Sequence, residues 1–187
     1  MRTNNMTYRS AVRQLLRVFD VQDKLCGAEV GVYRGQLTEV LLGTLPHLFL
    51  TLVDPWRANT APPRTIHGDD WLEYDQNQWD EIYADALTRI GPATNRCRIM
   101  RMMSEQAASQ IEDKSLDFVY IDADHTYESV KQDIQLWQPK AKRLIFGHDY
   151  GGKNDRFGVW GVKRAVDEAF GDRVQVRSGL IWAVELT

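Results

Sequence analysis

Apolar residues recur along this chain in two alternating rhythms. Short apolar runs at 25–32, 48–53, 97–101, 116–121 and 144–146 have the length and content of buried strands. Between them the spacing turns helical. Residues 9–19 carry Val12, Leu15, Leu16 and Phe19 on one stripe, and 76–90 carry Trp79, Ile82, Tyr83, Ala86 and Leu87. Further helices are predicted over 36–42, 104–111, 127–137 and 159–170, with stops at Gly43, Gly91-Pro92 and Gly171. Ser104 is the expected N-cap of its helix, and Asp124 is a candidate cap for 127–137. The tail, 173–177 and 180–186 around Ser178-Gly179, reads as a hairpin.

Strands alternating with helices predict a mostly parallel sheet with helices on both faces. The expected fold is therefore a doubly wound α/β sheet of seven strands, closed by a C-terminal hairpin that contributes an antiparallel strand. Residues 1–24 form a helical extension ahead of the main domain, 25–187, able to cap a site or to pack on a second subunit. Residues 56–73, with Pro62-Pro63 and Gly68-Asp69-Asp70, lack either period and read as an exposed loop or small insertion.

Composition narrows the function classes. The chain has 187 residues, enough for one domain with a substantial core, and its 43% hydrophobic and 26% charged content is ordinary for a soluble protein. A net charge of −3 gives no support to broad nucleic-acid binding. No apolar stretch approaches the roughly 20 residues of a membrane span. Cys26 and Cys97 have no metal-ligand spacing and read as buried thiols in a reducing compartment. Residues 1–17 carry arginine and no acid but lack the apolar core of a signal peptide, so the cytoplasm is the expected location by default.

The chemistry concentrates at strand ends, where α/β sheets bind their ligands. The fourth apolar run delivers Asp122-Ala123-Asp124-His125, and the fifth delivers Gly147-His148-Asp149. The first strand leads into Glu29-Val30-Gly31-Val32-Tyr33-Arg34-Gly35, an E-x-G-x-x-x-G turn distinct from the dinucleotide fingerprint. Glycines there let backbone approach a ligand closely. An acid before the turn repels a pyrophosphate and suits a cationic ligand. Asp54, ending the second strand, is placed to accept from ribose hydroxyls. Together these ends favour a nucleoside cofactor without a diphosphate. His47 and His67 lack neighbouring chemistry and read as surface residues. Of Trp56, Trp71, Trp79 and Trp160, Trp56 and Trp160 follow strand ends and are the better candidates for a pocket wall.

On Ala28 to Gly35, Leu52-Val53-Asp54-Pro55-Trp56, Asp117 to Tyr127, Gly147-His148-Asp149-Tyr150 and Gly161 to Asp167, the chain resembles class I S-adenosylmethionine-dependent methyltransferases. It is most similar to the small group that includes the macrolide-sugar O-methyltransferases. The resemblance implies that Glu29, Gly31 and Gly35 line the methionine part of S-adenosylmethionine, that Asp54 holds the ribose, and that Ser104 and Glu105 meet the adenine. It implies that Asp122 lies near the cofactor amino group and the reaction centre, with His125 as general base. In metal-dependent relatives the positions of Asp122, His148 and Asp149 bind Mg²⁺ or a similar ion. Two departures stand out. His148 replaces a carboxylate, which weakens the magnesium case or points to a softer ion. Pro139 to Arg143 replaces the usual Pro-Gly-Gly turn.

The expected function is O-methylation of a small-molecule hydroxyl, on a sugar or a phenol, with no nucleic-acid or membrane partner. Metal-independent N-methylation and a non-catalytic cofactor-binding module are the competing readings. A nicotinamide-dependent reductase fits poorly, because the diphosphate-binding glycines are missing.

Overall fold

The structure, a computed structural model, describes residues 4–58, 74–156 and 160–186. Most of the irregular segment, including Pro62-Pro63, His67, Gly68-Asp69-Asp70 and Trp71, lies outside the described residues, as does Val159.

Strands β1 (Leu25–Val30), β2 (Leu48–Val53), β3 (Cys97–Met100), β4 (Leu116–Ile121), β5 (Ala141–Gly147), β6 (Gln175–Arg177) and β7 (Ile181–Glu185) form one sheet, in the order β3-β2-β1-β4-β5-β7-β6. The first five are parallel, and β7 runs antiparallel to both β5 and β6. The seven-stranded, mostly parallel sheet with one antiparallel hairpin strand is thus the expected fold. Strand order reverses between β1 and β4, and a crevice opens at such a point beyond the carboxyl ends. The β1–β4 register pairs Glu29 with Tyr120 and Val30 with Ile121. The last residues of the two strands therefore lie at the same level.

Alternate residues of β4 feed two cores, as the strand period requires. Phe118 and Tyr120 join Leu16, Leu41, Leu50 and Ile82 on one face. Val119 and Ile121 join Ile134, Trp137, Val166 and Trp182 on the other. Helices α1 (Asn4–Leu15), α2 (Gln36–Thr44) and α3 (Gln76–Ile90) serve the first face. Helices α4 (Ser104–Ala108), α5 (Tyr127–Trp137) and α7 (Val162–Phe170) serve the second. A one-turn helix, α6 (Lys153–Arg156), precedes α7.

Several local expectations shift. The N-terminal helix packs on its own chain, against α2, β7 and the turn Ser178–Leu180, with Ala11, Val12 and Leu15 in the first core. Helix α3 is capped by Asp75, whose side chain accepts from Gln78 N while Gln78 reaches back to Asp75 N. The cap of α5 is Thr126, not Asp124; Asp124 accepts from Thr126 N at 2.8 Å and so braces the turn just ahead. Ser104 opens α4 as its first helical residue after the N-cap Met103, and its hydroxyl is engaged elsewhere. The expected buried thiols are not found: Cys26 is exposed, since in β1 it alternates with the buried Leu25, and Cys97 is half-buried. Burial still pushes the Cys97 thiol up to about 11. His47 is exposed, as expected. Among the described residues no helix is long and apolar enough to cross a membrane.

Candidate active site

A cavity of about 750 Å³ opens at the carboxyl ends of β1, β2, β4 and β5. Its first wall is the turn after β1. Gly31 takes φ 87° and Tyr33 φ 52°. Asp54 holds this turn: its Oδ2 accepts from Val32 N (3.0 Å) and Tyr33 N (2.9 Å), and its Oδ1 from Trp56 N (2.8 Å). The backbone donors that a diphosphate would take are thus already occupied. Burial pushes the Asp54 carboxyl above its usual range, although the three N–H bonds pull the other way. Glu29 is buried at the end of β1 and accepts from Thr38 Oγ1 at 2.7 Å. Burial holds its carboxyl well above the usual range, and the nearby Asp122 and Asp54 charges add to this. A cation entering the cavity would restore its negative charge.

The second wall is a polar chain between α4 and α5. Trp137 Nε1 donates to Ser104 Oγ at 2.8 Å, and Ser104 Oγ donates to Asp133 Oδ1. Asp133 is 5% exposed, and burial pushes its carboxyl up to about 6, with Asp124 and Glu105 adding to the effect.

The third wall joins the ends of β4 and β5. Asp122 Oδ2 accepts from the Tyr120 hydroxyl at 2.9 Å. His125 Nε2 lies 3.4 Å from Asp122 Oδ1 and 3.3 Å from Asp149 Oδ2. His148 Nδ1 lies 3.2 Å from Asp149 Oδ2 and 4.0 Å from Asp122 Oδ2. Burial alone would raise the Asp122 carboxyl. The His125 contact, the two imidazole charges and the Tyr120 hydroxyl outweigh it and hold Asp122 below the usual range. For His148, burial opposes the charge, yet the Asp149 bond and both carboxylates raise its imidazole to about 8. Asp149 itself has φ 61°, a left-handed conformation uncommon outside glycine and held here by its surroundings. The Trp160 ring lies against His125, with centroids 4.3 Å apart.

Of the residues singled out in the sequence, Glu29, Gly31, Asp54, Ser104, Glu105 and Asp122 line this one cavity, and so do His125, His148 and Asp149. Gly35 does not: it packs on α3, where a Cβ would lie 3.3 Å from Ala86 Cα. Trp56 is fully buried, donates to Tyr33 O at 2.9 Å and packs against the Tyr83 ring at a tilt, so it supports the turn and does not line the cavity. Trp79 takes a place in the wall instead. Asp133 and Tyr120 were missed. Asp133 had a signal: with Val130, Ile134 and Trp137 it completes an i, i+3, i+4, i+7 stripe, and an acid on a buried stripe calls for a reason.

The model of the methyltransferase-domain family matches residues 28–150, which include every lining residue of the cavity except Gly179 and Leu180; Trp160, a pocket-wall candidate in the sequence, touches His125 but does not line the cavity. The chain belongs to the methyltransferase-domain family. Its fold is that of the class I S-adenosylmethionine-dependent methyltransferases, and two solved O-methyltransferases share it. One, from Bacillus cereus and in complex with SAH, aligns at a TM-score of 0.63 and 16% identity, covering 100% of this chain and 82% of that one. The other is CalS11, a TDP-rhamnose 3′-O-methyltransferase of calicheamicin biosynthesis, at a TM-score of 0.63 and 15% identity, covering 98% and 81%. An uncharacterized protein of Sinorhizobium fredii, y4gI, is 31% identical over 83 residues, which are 43% of this chain and 9% of that protein. The matched stretch thus spans under a tenth of that relative's length.

Proposed function

We propose that this methyltransferase domain moves the methyl group of S-adenosylmethionine to a hydroxyl of a small molecule, with His125 as the base. The observation that carries this reading is one cavity lined by Glu29, Asp122 and His125, with Asp122 close enough to Glu29 for its charge to act there and 3.4 Å from the His125 ring. Glu29 and Asp122 supply negative charge on neighbouring strands, where a sulfonium nucleoside carries its positive centre and its ammonium. Methyl transfer from a sulfonium is an in-line displacement on an already activated donor. The protein therefore has two tasks, alignment of the acceptor and removal of its proton. His125 stands beyond Asp122 with Trp160 against its ring, in the position an acceptor hydroxyl would approach. O-methylation is also the activity named for the two solved neighbours.

Asp122, His148 and Asp149 suit a divalent cation, since their ligand atoms lie within 4.8 Å of one another. Two carboxylates and an imidazole form a mixed oxygen and nitrogen set, better matched to Mn²⁺ or Zn²⁺ than to Mg²⁺. Such an ion, when bound, lowers the pKa of an acceptor hydroxyl and orients it. His125 then takes the proton, and Asp122 and Asp149 hold the imidazole in place.

The test is calorimetric titration with S-adenosylmethionine, with and without Mn²⁺, followed by transfer of a labelled methyl group to a panel of sugars and phenols. Binding in the micromolar range is the rough expectation for such a cofactor. Binding without transfer to any hydroxylated acceptor would favour the non-catalytic module, and transfer to amines insensitive to chelation would favour N-methylation.

A further inference from the structure

The two carboxylates beside His125 hold its Nε2 at long range. The nitrogen lies 3.4 Å from Asp122 and 3.3 Å from Asp149. Both exceed the usual hydrogen-bond length of about 2.9–3.0 Å. The torsion that turns an imidazole about its Cβ–Cγ bond is soft and has two broad wells. A half-turn exchanges Nε2 with a ring carbon. The carboxylates favour the state that faces Nε2 toward them, but contacts of this length do not by themselves fix the plane of the ring.

Another element meets that plane. Gly161 is the N-cap of α7, and its N–H donates to the carbonyl oxygen of His125 at 2.9 Å. A Cβ on Gly161 would lie 2.4 Å from Tyr127 Cβ and 2.5 Å from Tyr127 Cα. The start of α7 therefore meets the turn between β4 and α5 at a distance that only a glycine permits. This docking lays the preceding residue, Trp160, on the His125 ring, with 31° between the ring planes. The Trp160 N–H donates in turn to Asn154 O at 3.3 Å. Asp155 Oδ2 accepts from Gly151 N (2.9 Å) and from Lys163 N (2.8 Å), so one carboxylate ties the chain after β5 to the first turn of α7. Trp160 is half-buried and is not among the buried residues of either core, so filling the interior does not account for this mounting. It also lies beyond residue 150, where the family match ends.

We propose that Trp160 is a positioning residue for His125: docked through Gly161, its indole holds the imidazole in the plane in which Nε2 faces Asp122 and Asp149. The proposal rests on the reading of His125 as the base. The carboxylates select between the two flipped states of the ring, and the indole stiffens the remaining rotation. Proton removal depends on such alignment, and small misplacements of a reacting group are costly in rate.

Two measurements on the full chain test this. In proton NMR of the metal-free protein, the indole ring current should displace an imidazole proton resonance upfield, assigned to His125 by its loss in His125→Ala. Trp160→Leu should abolish the displacement, and Trp160→Phe should keep part of it. In labelled methyl transfer to the best acceptor among the sugars and phenols, Trp160→Leu should lower kcat by about tenfold or more. Acceptor KM and calorimetric affinity for S-adenosylhomocysteine should stay within about twofold of wild type. Trp160→Phe, which keeps a flat ring, should recover most of the rate; it also serves if the leucine variant does not fold. Absence of a displaced resonance in the wild type, an unchanged kcat in Trp160→Leu, or a loss that appears in KM instead of kcat overturns the role of Trp160 and leaves the base reading standing. Wild-type turnover in His125→Ala, or a wild type that methylates no acceptor, overturns both.

Discussion

A Cβ placed on Gly31 would lie 2.1 Å from the carbonyl oxygen of Asp122. The β1 turn and the β4 end are thus in backbone contact, and this contact brings Glu29 and Asp122 to one cavity. Gly31 also needs φ 87°, which a side chain disfavours. Gly31→Ala is expected to cost about 2–4 kcal/mol in urea denaturation and to abolish cofactor binding. Gly43→Ala, where nothing lies within 4 Å, is the control and should stabilise α2 by about 0.5–1 kcal/mol.

Asp54 acts on the same turn through Val32 N and Tyr33 N. Asp54→Ala removes the acceptor of three buried or half-buried donors as well as the expected ribose partner. Affinity for S-adenosylmethionine should fall by about tenfold or more in calorimetry, with the turn amides losing protection in hydrogen exchange. Unchanged protection would show that the turn stands without Asp54.

His125→Ala should lower kcat by about 10²–10⁴-fold while cofactor affinity stays near wild type. Wild-type turnover would remove His125 from the mechanism.

The proposed cation site predicts that chelation lowers turnover by about tenfold or more and that added Mn²⁺ restores it. Asp149→Asn should blunt that rescue. Turnover indifferent to chelator would leave proton removal to His125 alone.

Asp133 carries a stability signature. Its folded pKa of about 6 is raised above the unfolded value, so its contribution is most favourable at low pH and is lost as pH rises through about 6. At pH 7.5 Asp133→Asn should therefore stabilise the ligand-free domain, by about 1–3 kcal/mol. The gain should shrink as pH falls from about 6 toward about 4, where the unfolded carboxyl also protonates. Urea titrations at both ends of that range check this, and a variant less stable at pH 7.5 would contradict it.

Much of the fold was legible because it is written in local periods. The runs ending at Val53 and Ile121 are the strands themselves, and the acids that follow them sit at the sheet's binding edge by the simple fact that an apolar run stops there. Hence Glu29, Asp54, Asp122, His148 and Asp149 could be named before any coordinates. The family resemblance then gave those ends a cofactor.

Other features depend on pairings far apart in the chain. Ser104 looks like a helix cap because three residues of spacing say so; its hydroxyl instead bonds Asp133, 29 positions on. Gly35 looks like a ligand-facing glycine, yet α3 occupies the space beside it. Asp133 was hidden because a helical stripe shows which face is buried and not whether a cavity adjoins it. His125 was placed at the right end of β4, but only the neighbouring β5 sets Asp149 against its Nε2. Residue order determined which groups reach the edge of the sheet, since strand period and helix stripe act over a few residues. Strand order and the packing of α3, α4 and α5 decided which of them meet, since contact across a sheet edge is settled only when the whole layer has assembled.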